Sequence, residues 1–113
     1  MHLAMAALLI QTCDIYERAA TKTGVQPVVP TPTLKISGVR CRVWPLSSRE
    51  QATLIGRMIQ ATHRILMRTV DVPAGFAPGW DIVCSGARYR VQECSDVGGV
   101  GEVTQALLVV VPQ

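Results

Sequence analysis

Hydrophobic and polar residues alternate along several short segments of the chain, and this period of two predicts β-strands with one buried face. In the segment VRCRVW, Val39, Cys41 and Val43 share one side of an extended strand, and the arginines and the tryptophan share the other. Glycine and proline turn signals recur at short intervals after residue 60. The predicted strands cover residues 13–18, 34–44, 62–70, 80–84, 88–94 and 102–111.

One helix is predicted between the second and third strands. Pro45 ends the strand, and Ser47 and Glu50 have the spacing of a capping box, in which each side chain accepts a hydrogen bond from the other residue's backbone N–H. The helix is expected to run to about Gln60. An apolar stripe at helical spacing predicts its packing face, made by Ala52, Ile55, Met58 and Ile59.

Together these elements predict a mainly β single domain over residues 1–113, a small antiparallel β-barrel or sandwich of about six strands. A tight turn at Ser85 and Gly86 joins the fourth and fifth strands, because glycine allows a positive φ. The last strand is almost continuously apolar. We therefore expect it either to be covered on both faces or to lie at a subunit contact.

Two segments lie outside this set of strands. Residues 1–11 are mostly apolar and are predicted to form a short N-terminal arm, a helix or an extended segment, that needs a surface to dock on. Residues 21–33 contain Pro27, Pro30 and Pro32, which lack the N–H that a sheet ladder needs, so this segment is predicted to be a long loop. Long loops in compact domains are usually either functional or disordered.

The composition is that of an ordinary globular chain, with 49% hydrophobic and 17% charged residues. A net charge of +3 is too small to indicate nucleic-acid or membrane binding by itself. The apolar N-terminal stretch has no Lys or Arg before it and is too short to span a bilayer. We therefore expect a soluble, cytoplasmic protein with no membrane partner.

No catalytic, cofactor or metal site is predicted. The four cysteines form no C-x-x-C pair, and the two histidines are not placed to complete a zinc site. We expect the cysteines to be small buried residues, although two disulfides are possible. His63 lies within an alternating strand and has no evident partner for acid–base catalysis. The chain also contains no phosphate-binding or hydrolase motif, so we expect that it is not an enzyme.

Six arginines are the main candidates for a binding surface. They occur as pairs at even spacing in three predicted strands, so each pair shares one strand face. If the three strands are neighbours, the six guanidinium groups line one surface that contacts DNA or another subunit. Alternatively they are solvated, or paired with acids such as Asp81, Glu93 and Glu102. An OB-like nucleic-acid-binding module would also need aromatic residues on that face, where only Trp44 qualifies. The pairs are Arg40 and Arg42, Arg64 and Arg68, and Arg88 and Arg90.

The order of these features resembles the phage head-tail joining proteins, a family that includes stoppers and adaptors. VRCRVWPLSSRE looks like that family's strand–PLSGRE–helix segment, with Ser48 where the family often has glycine. ATHRILMR is similar to its THRV-x-x-R strand, and PGWDIVCSGARYRVQEC to its hairpin, with Gly86, Tyr89 and Val91 in register. The resemblance covers residues 34–111, whereas the first 33 residues match only in outline.

This resemblance implies a β-barrel with one lateral helix that assembles as a ring beneath the portal, in the neck of a tailed particle. Such rings extend and close the channel for packaged double-stranded DNA, and they provide the tail docking surface. The implied partners are further copies of the chain, the portal or adaptor ring above and tail proteins below. In stopper members the long loop after the first strand closes the channel. By position, the residues of that loop here are Gly24, Val25, Gln26, Pro27, Val28, Val29 and Pro30.

The leading hypothesis is therefore a structural virion protein, a head completion protein or stopper in the neck of a phage, prophage or gene transfer particle. Such a protein would be assembled in the bacterial host cytoplasm. The alternative from a different class is an OB-like nucleic-acid-binding module that uses the arginine face, and a small hydrolase comes third.

Overall fold

The computed structural model describes residues 10–18, 32–97 and 101–112. Six antiparallel strands close into a barrel in the order β1-β2-β3-β6-β5-β4, with one α-helix between β2 and β3. The predicted mainly β fold is confirmed, and the closed strand order decides for a barrel over a sandwich. The strands are β1 Gln11–Glu17, β2 Thr33–Pro45, β3 His63–Arg68, β4 Asp81–Cys84, β5 Ala87–Asp96 and β6 Val103–Val110, and the helix α1 is Ser48–Gly56.

Alternating side chains fill the interior of the barrel. Each of the six strands contributes two core residues that are two positions apart, as the period of two requires for side chains on one face of a strand. Trp80 adds a ring to this core just before β4 and packs edge-on against Phe76. The paired residues are Cys13 and Ile15, Val39 and Cys41, Ile65 and Met67, Ile82 and Cys84, Tyr89 and Val91, and Ala106 and Leu108.

The apolar residues of β6 pack on both faces of the strand, on one side in the barrel core and on the other beneath the helix. Ala106 and Leu108 point into the barrel, while Leu107 points outward into a second apolar cluster beneath α1. That cluster contains Leu46, Leu54 and Ala61, with Ile59 packed against it. The helix therefore lies on the outer wall of the barrel and covers the middle of β6, which confirms burial on both faces there. Val110 near the end of the strand is 43% exposed, and a subunit contact at this strand stays a prediction.

The capping box at the start of α1 is confirmed. The Glu50 backbone N–H donates to Ser47 Oγ at 3.1 Å, and the Ser47 N–H donates to Glu50 Oε1 at 3.3 Å. The predicted end at Gln60 is wrong, because the helix ends at Gly56 and Met58 takes a positive φ of 61°. The Ile59 N–H then returns to the Leu54 carbonyl at 2.8 Å, which folds the chain back toward β3.

The predicted packing face of α1 is also mostly wrong. Leu54 is the buried residue of the helix, whereas Ala52, Ile55 and Met58 are exposed. Of the predicted stripe, only Ile59 contacts the cluster beneath the helix. The reason is that a helix of nine residues has about two and a half turns, so several stripes fit its sequence and the wall at Leu107 selects one of them.

The chain turns sharply at the two ends of the barrel. Ser85 and Gly86 both have a positive φ, 52° and 80°, as the predicted tight turn between β4 and β5 requires. At the other end, β3 stops at Arg68 and a 3-10 turn, Thr69–Asp71, replaces the last predicted strand residues. The predicted arm up to residue 9 and the predicted channel-closing segment, residues 24–30, lie outside the described residues.

Candidate interaction surfaces

The six predicted arginines lie on two separate surfaces of the barrel. The strands β2 and β3 are neighbours, so the pairs at 40/42 and 64/68 share one wall. The strand β5, however, lies between β6 and β4, and β6 separates it from β3. The condition for one continuous basic face, that the three strands are neighbours, is therefore not met. Strand order depends on long-range closure, which the alternation within each strand does not encode.

The wall formed by β2 and β3 presents three exposed arginines, Arg40, Arg42 and Arg68. Arg64 differs from them, because its Nη2 lies 3.0 Å from Glu50 Oε2 and its guanidinium lies over the Trp44 ring at 5.8 Å from the centroid. Arg64 is thus tied to the first turn of the helix, and it covers the aromatic ring that a stacked base would need. We call Arg40, Arg42 and Arg68 the exposed arginine wall.

On the opposite side, three arginines surround one buried carboxylate. Asp81 faces outward from β4, but its side chain is 0% exposed because guanidinium groups cover it. Arg88 Nη1 donates to Asp81 Oδ2 at 2.8 Å, Arg90 Nε to Oδ1 at 3.1 Å, and Arg18 Nε to Oδ2 at 3.2 Å. We call these three residues, with Asp81, the arginine cluster. Pairing with an acid on the next strand, one of the alternatives considered for Arg88 and Arg90, is confirmed.

Asp81 stays ionised in this setting. Burial by itself raises the pKa of the carboxyl, since it penalises the charged form, but the hydrogen bonds from Arg90 and Arg88 and the positive charges of Arg90 and Arg18 outweigh it. The net effect is a pKa below the usual range of aspartate. One negative charge against three guanidinium groups leaves the arginine cluster with a net charge of +2. Arg88 also lies over the Tyr16 ring, 5.1 Å from its centroid.

Arg18 is the member of this cluster that the sequence did not indicate. It is a single arginine after β1, so the paired spacing that marked the other arginines is missing. Its parity with Tyr16 places both on the outer face of the wall, but only the pairing of β1 with β4 brings it to Asp81.

A second charged region lies between α1 and the outer wall of the barrel. An open groove there is lined by the ion pairs Arg57–Glu93, at 3.7 Å, and Arg64–Glu50. Arg49 also lines the groove, so the arginines outnumber the two glutamates by one. The Nε atom of Arg64 is buried and has no hydrogen-bond partner within the described part of the chain. These side chains are paired with one another and form no nucleophile–base arrangement.

The cysteines behave as core residues. Cys13, Cys41 and Cys84 are buried and Cys94 is half-buried, and all four are free thiols, so the possible disulfides are not formed. Cys13 lies directly opposite Cys84 in the register of β1 and β4, and Cys41 belongs to the same buried core. The neighbouring Cys13 thiol and then burial raise the pKa of Cys41, and burial raises the pKa of Cys84 and Cys94. In the residues described, no group of three or more potential ligands is arranged to hold a metal ion.

His63 is a structural residue of β3. Its Nδ1 lies 2.8 Å from Thr62 Oγ1, and its ring packs against Tyr89 at a centroid distance of 4.9 Å. Burial lowers the pKa of His63, so the ring is neutral near pH 7. The prediction of a locally bonded strand histidine is confirmed.

Comparison with known protein families decides what kind of protein carries these surfaces. Residues 5–110 match the family described as phage head completion protein, which is nearly the full length of the chain. The chain belongs to the phage head completion protein family. Its members are structural proteins and are not known as enzymes. No curated protein matches the chain.

For a head completion protein, surfaces that contact other proteins matter more than a catalytic pocket. The family implies a component of the virion near the head that interacts with other head or tail proteins. The match also extends the resemblance toward the N-terminus, since it begins at residue 5 rather than at residue 34. Among the described residues, no helix is long and apolar enough to cross a membrane.

Proposed function

We propose that this head completion protein forms a homo-oligomeric ring in the neck of a tailed particle. The ring extends the portal channel, closes it after the DNA is packaged and provides the surface on which tail proteins dock. The observation that carries the proposal is the family match over residues 5–110 on a chain folded as a closed barrel. A closed barrel has no free strand edge, so its copies must meet through side chains and loops rather than by adding strands.

The segment between β1 and β2 is the proposed channel-closing element. It begins after Arg18, whose Nε binds Asp81, and it returns at Thr33. At the base of the segment, Lys35 Nζ lies 3.2 Å from Glu17 Oε1. Ion pairs therefore connect the described residues on both sides of the segment to the barrel. In the proposal, residues 24–30 reach into the channel.

Replacing residues 24–32 with a Gly/Ser segment of equal length tests the closure. We expect the variant to fold and to enter particles, because no described core residue changes. The filled heads that contain it should leak DNA. DNA retention is measured by nuclease protection of packaged DNA. An equal-length Gly/Ser replacement of residues 98–100, which also lie outside the described residues, is the control. Normal retention with the first replacement would reject the channel-closing role.

The exposed arginine wall is proposed to contact a neighbouring subunit or the DNA. Reversing the charge at Arg40 and Arg42 changes exposed side chains only, so the barrel should keep its stability. If the wall makes subunit contacts, the double variant fails to assemble. If it contacts DNA in the channel, the variant assembles but retains DNA less well. Wild-type assembly together with wild-type retention would remove this wall from the proposal.

A second candidate function is an OB-like nucleic-acid-binding module. The observation in its favour is that Arg40, Arg42 and Trp44 lie on one outer face of β2. Arg64 already covers the Trp44 ring, which weakens the case for base stacking. Binding of a fluorescent single-stranded oligonucleotide at increasing salt separates the candidates. A free module predicts submicromolar affinity with a steep salt dependence, and the neck protein predicts weak binding.

A dose experiment tests the structural role itself. Particles made without this chain should accumulate as DNA-filled heads that do not join tails, and purified protein added to such heads should restore joining. Because a structural component is used up as it assembles, the yield of joined particles should rise with the number of copies added and then saturate. Restoration by a few molecules per thousand heads would indicate catalysis and reject the proposal.

A further inference from the structure

The end of the barrel at which β3 and β5 finish and β6 begins carries three carboxylates. Asp71 follows β3, Asp96 ends β5, and Glu102 precedes β6. Two hydrogen bonds connect the segments around them, since the Thr69 N–H donates to the Glu102 carbonyl at 3.0 Å and the Gly101 N–H donates to Asp96 Oδ2 at 2.7 Å. We call Asp71, Asp96 and Glu102 the acidic rim.

The acidic rim has the composition of a contact surface. Within the described ranges, none of its three carboxylates takes part in an ion pair. Two valines stand beside them with unusual exposure, Val70 at 74% and Val97 at 41%. Exposed Arg68 lies at the same end, opposite Val103 in the register of β3 and β6, and the three carboxylates outnumber this one arginine. Exposed apolar side chains beside an excess of one charge are typical of a surface that meets a partner of the opposite charge.

The arginine cluster offers that opposite charge in a fixed position. Each of its guanidinium groups carries five N–H donors, and each makes one hydrogen bond to Asp81. The side chains of Arg18, Arg88 and Arg90 keep 23%, 29% and 34% exposure, so donors remain accessible to a second anion. Because the buried Asp81 already holds these side chains, binding that anion costs little further side-chain entropy.

The two surfaces occupy different parts of the barrel. The arginine cluster is centred on β4, between β1 and β5, whereas the acidic rim lies at the ends of β3, β5 and β6. A contact between them therefore joins unlike patches of two copies. Repeating such a heterologous contact produces a ring when the rotation closes. We propose that the arginine cluster of one copy binds the acidic rim of the next copy around the ring.

This inference depends on the ring proposed above, and it names the surfaces that join its subunits. Carboxylates of a second copy fit the cluster better than DNA phosphates do for two reasons. The cluster is compact rather than extended along a groove, and the same chain carries three carboxylates that form no ion pair within the described residues.

The experiment uses exposed positions first, so that folding is not in question. Glu102→Arg should raise the protein concentration needed for ring assembly about tenfold or more, since like charges would then face each other. Glu102→Asp keeps the charge and should stay within about twofold of wild type. Assembly is measured by native mass spectrometry of the purified chain and by counting copies in purified particles. Thermal melting confirms that both variants are folded.

A charge exchange completes the test. Arg90→Glu alone should prevent assembly, and the double variant Arg90→Glu/Glu102→Arg should recover a large part of it, because the attraction returns with its sign exchanged. Asp71→Arg combined with Arg90→Glu gives the same result from a second rim position. Recovery would support the contact even though Arg90→Glu also weakens the Asp81 site.

Three other outcomes would each contradict the inference. If Glu102→Arg and Asp71→Arg form rings as wild type does, the contact is absent while the ring itself stands. If variants of the cluster lose only salt-dependent DNA binding, the cluster is a DNA contact. If the wild-type chain occurs in particles without forming a ring, both this inference and the proposed function fail.

Discussion

At the scale of single residues, the carboxylate of Asp81 organises one wall of the barrel. It lies on the outer face of β4, yet three arginines from β5 and the end of β1 cover it completely. A buried charge is tolerated only when it is paired and hydrogen-bonded, and each Asp81 oxygen accepts at least one N–H. The sequence indicated Arg88, Arg90 and a possible acid partner for them. It did not indicate Arg18, because the contact between Arg18 and Asp81 joins residues 63 positions apart.

Replacing Asp81 with Asn should lower the free energy of unfolding by roughly 3 kcal/mol, because removing one partner of a buried ion pair leaves the other charges uncompensated. Urea denaturation at pH 7 measures the loss. Asp14→Asn is the matched control, since Asp14 accepts one backbone N–H, from Gly38, and should cost less than about 1 kcal/mol. Equal losses in the two variants would contradict the role of the cluster.

The same substitution should change how the free energy of unfolding depends on pH. Because the folded pKa of Asp81 lies below its usual value, ionised Asp81 stabilises the fold above the usual pKa, and this contribution disappears as the pH falls through the folded pKa. Wild type should therefore lose stability on acidification below about pH 4, and Asp81→Asn should lose less over the same range. An equal loss of stability on acidification in the two proteins would show that Asp81 does not cause the loss.

The cysteines give a second prediction at the residue scale. Burial raises the pKa of Cys84 and Cys94, so little thiolate is present near neutral pH. A thiol-reactive probe should modify native protein slowly, with half-buried Cys94 first, and should modify four thiols rapidly once the protein is unfolded. A disulfide found by mass spectrometry in protein purified without reductant would contradict this account.

At the scale of elements, the sequence predicted the strands and the start of the helix correctly, but not the end of the helix or the face by which it docks. Alternating residues marked β2 and β3, while turn signals and, for β6, a nearly continuous apolar run marked other strands. In the folded barrel each strand buries two residues at a spacing of two. The capping box at Ser47 and Glu50 is equally local and was also correct. The docking face of α1, in contrast, depends on Leu107, which is more than fifty positions further along the chain. No period within nine helical residues could indicate it.

Two adjacent residues of α1 test this assignment. Leu54→Ala should lower the free energy of unfolding by about 2–4 kcal/mol, because it leaves a cavity beneath the helix. Ile55→Ala should change the stability of the isolated chain by about 0.5 kcal/mol or less, because Ile55 is 66% exposed. Chemical denaturation of both variants measures the difference. The opposite ranking would restore the packing face predicted from the stripe.

At the scale of the whole molecule, closure of the barrel decides which surfaces exist. The six arginines form two surfaces rather than one, because β6 lies between β3 and β5. The sequence placed each pair on one strand face but left the combination of the pairs open, because the order of strands is a property of the complete sheet. This division leaves an exposed arginine wall, an arginine cluster and an acidic rim at different positions around one barrel. Such a distribution suits a subunit that touches its neighbours through unlike patches.

The central claim is that this head completion protein closes a ring in the neck, and a reconstruction of the neck of purified particles by cryo-electron microscopy tests it most directly. We expect a closed ring of this chain around the DNA channel, between the portal side and the tail, with the barrel fitting the density of each subunit. DNA-filled, tailed particles whose neck contains no copy of this chain would contradict it.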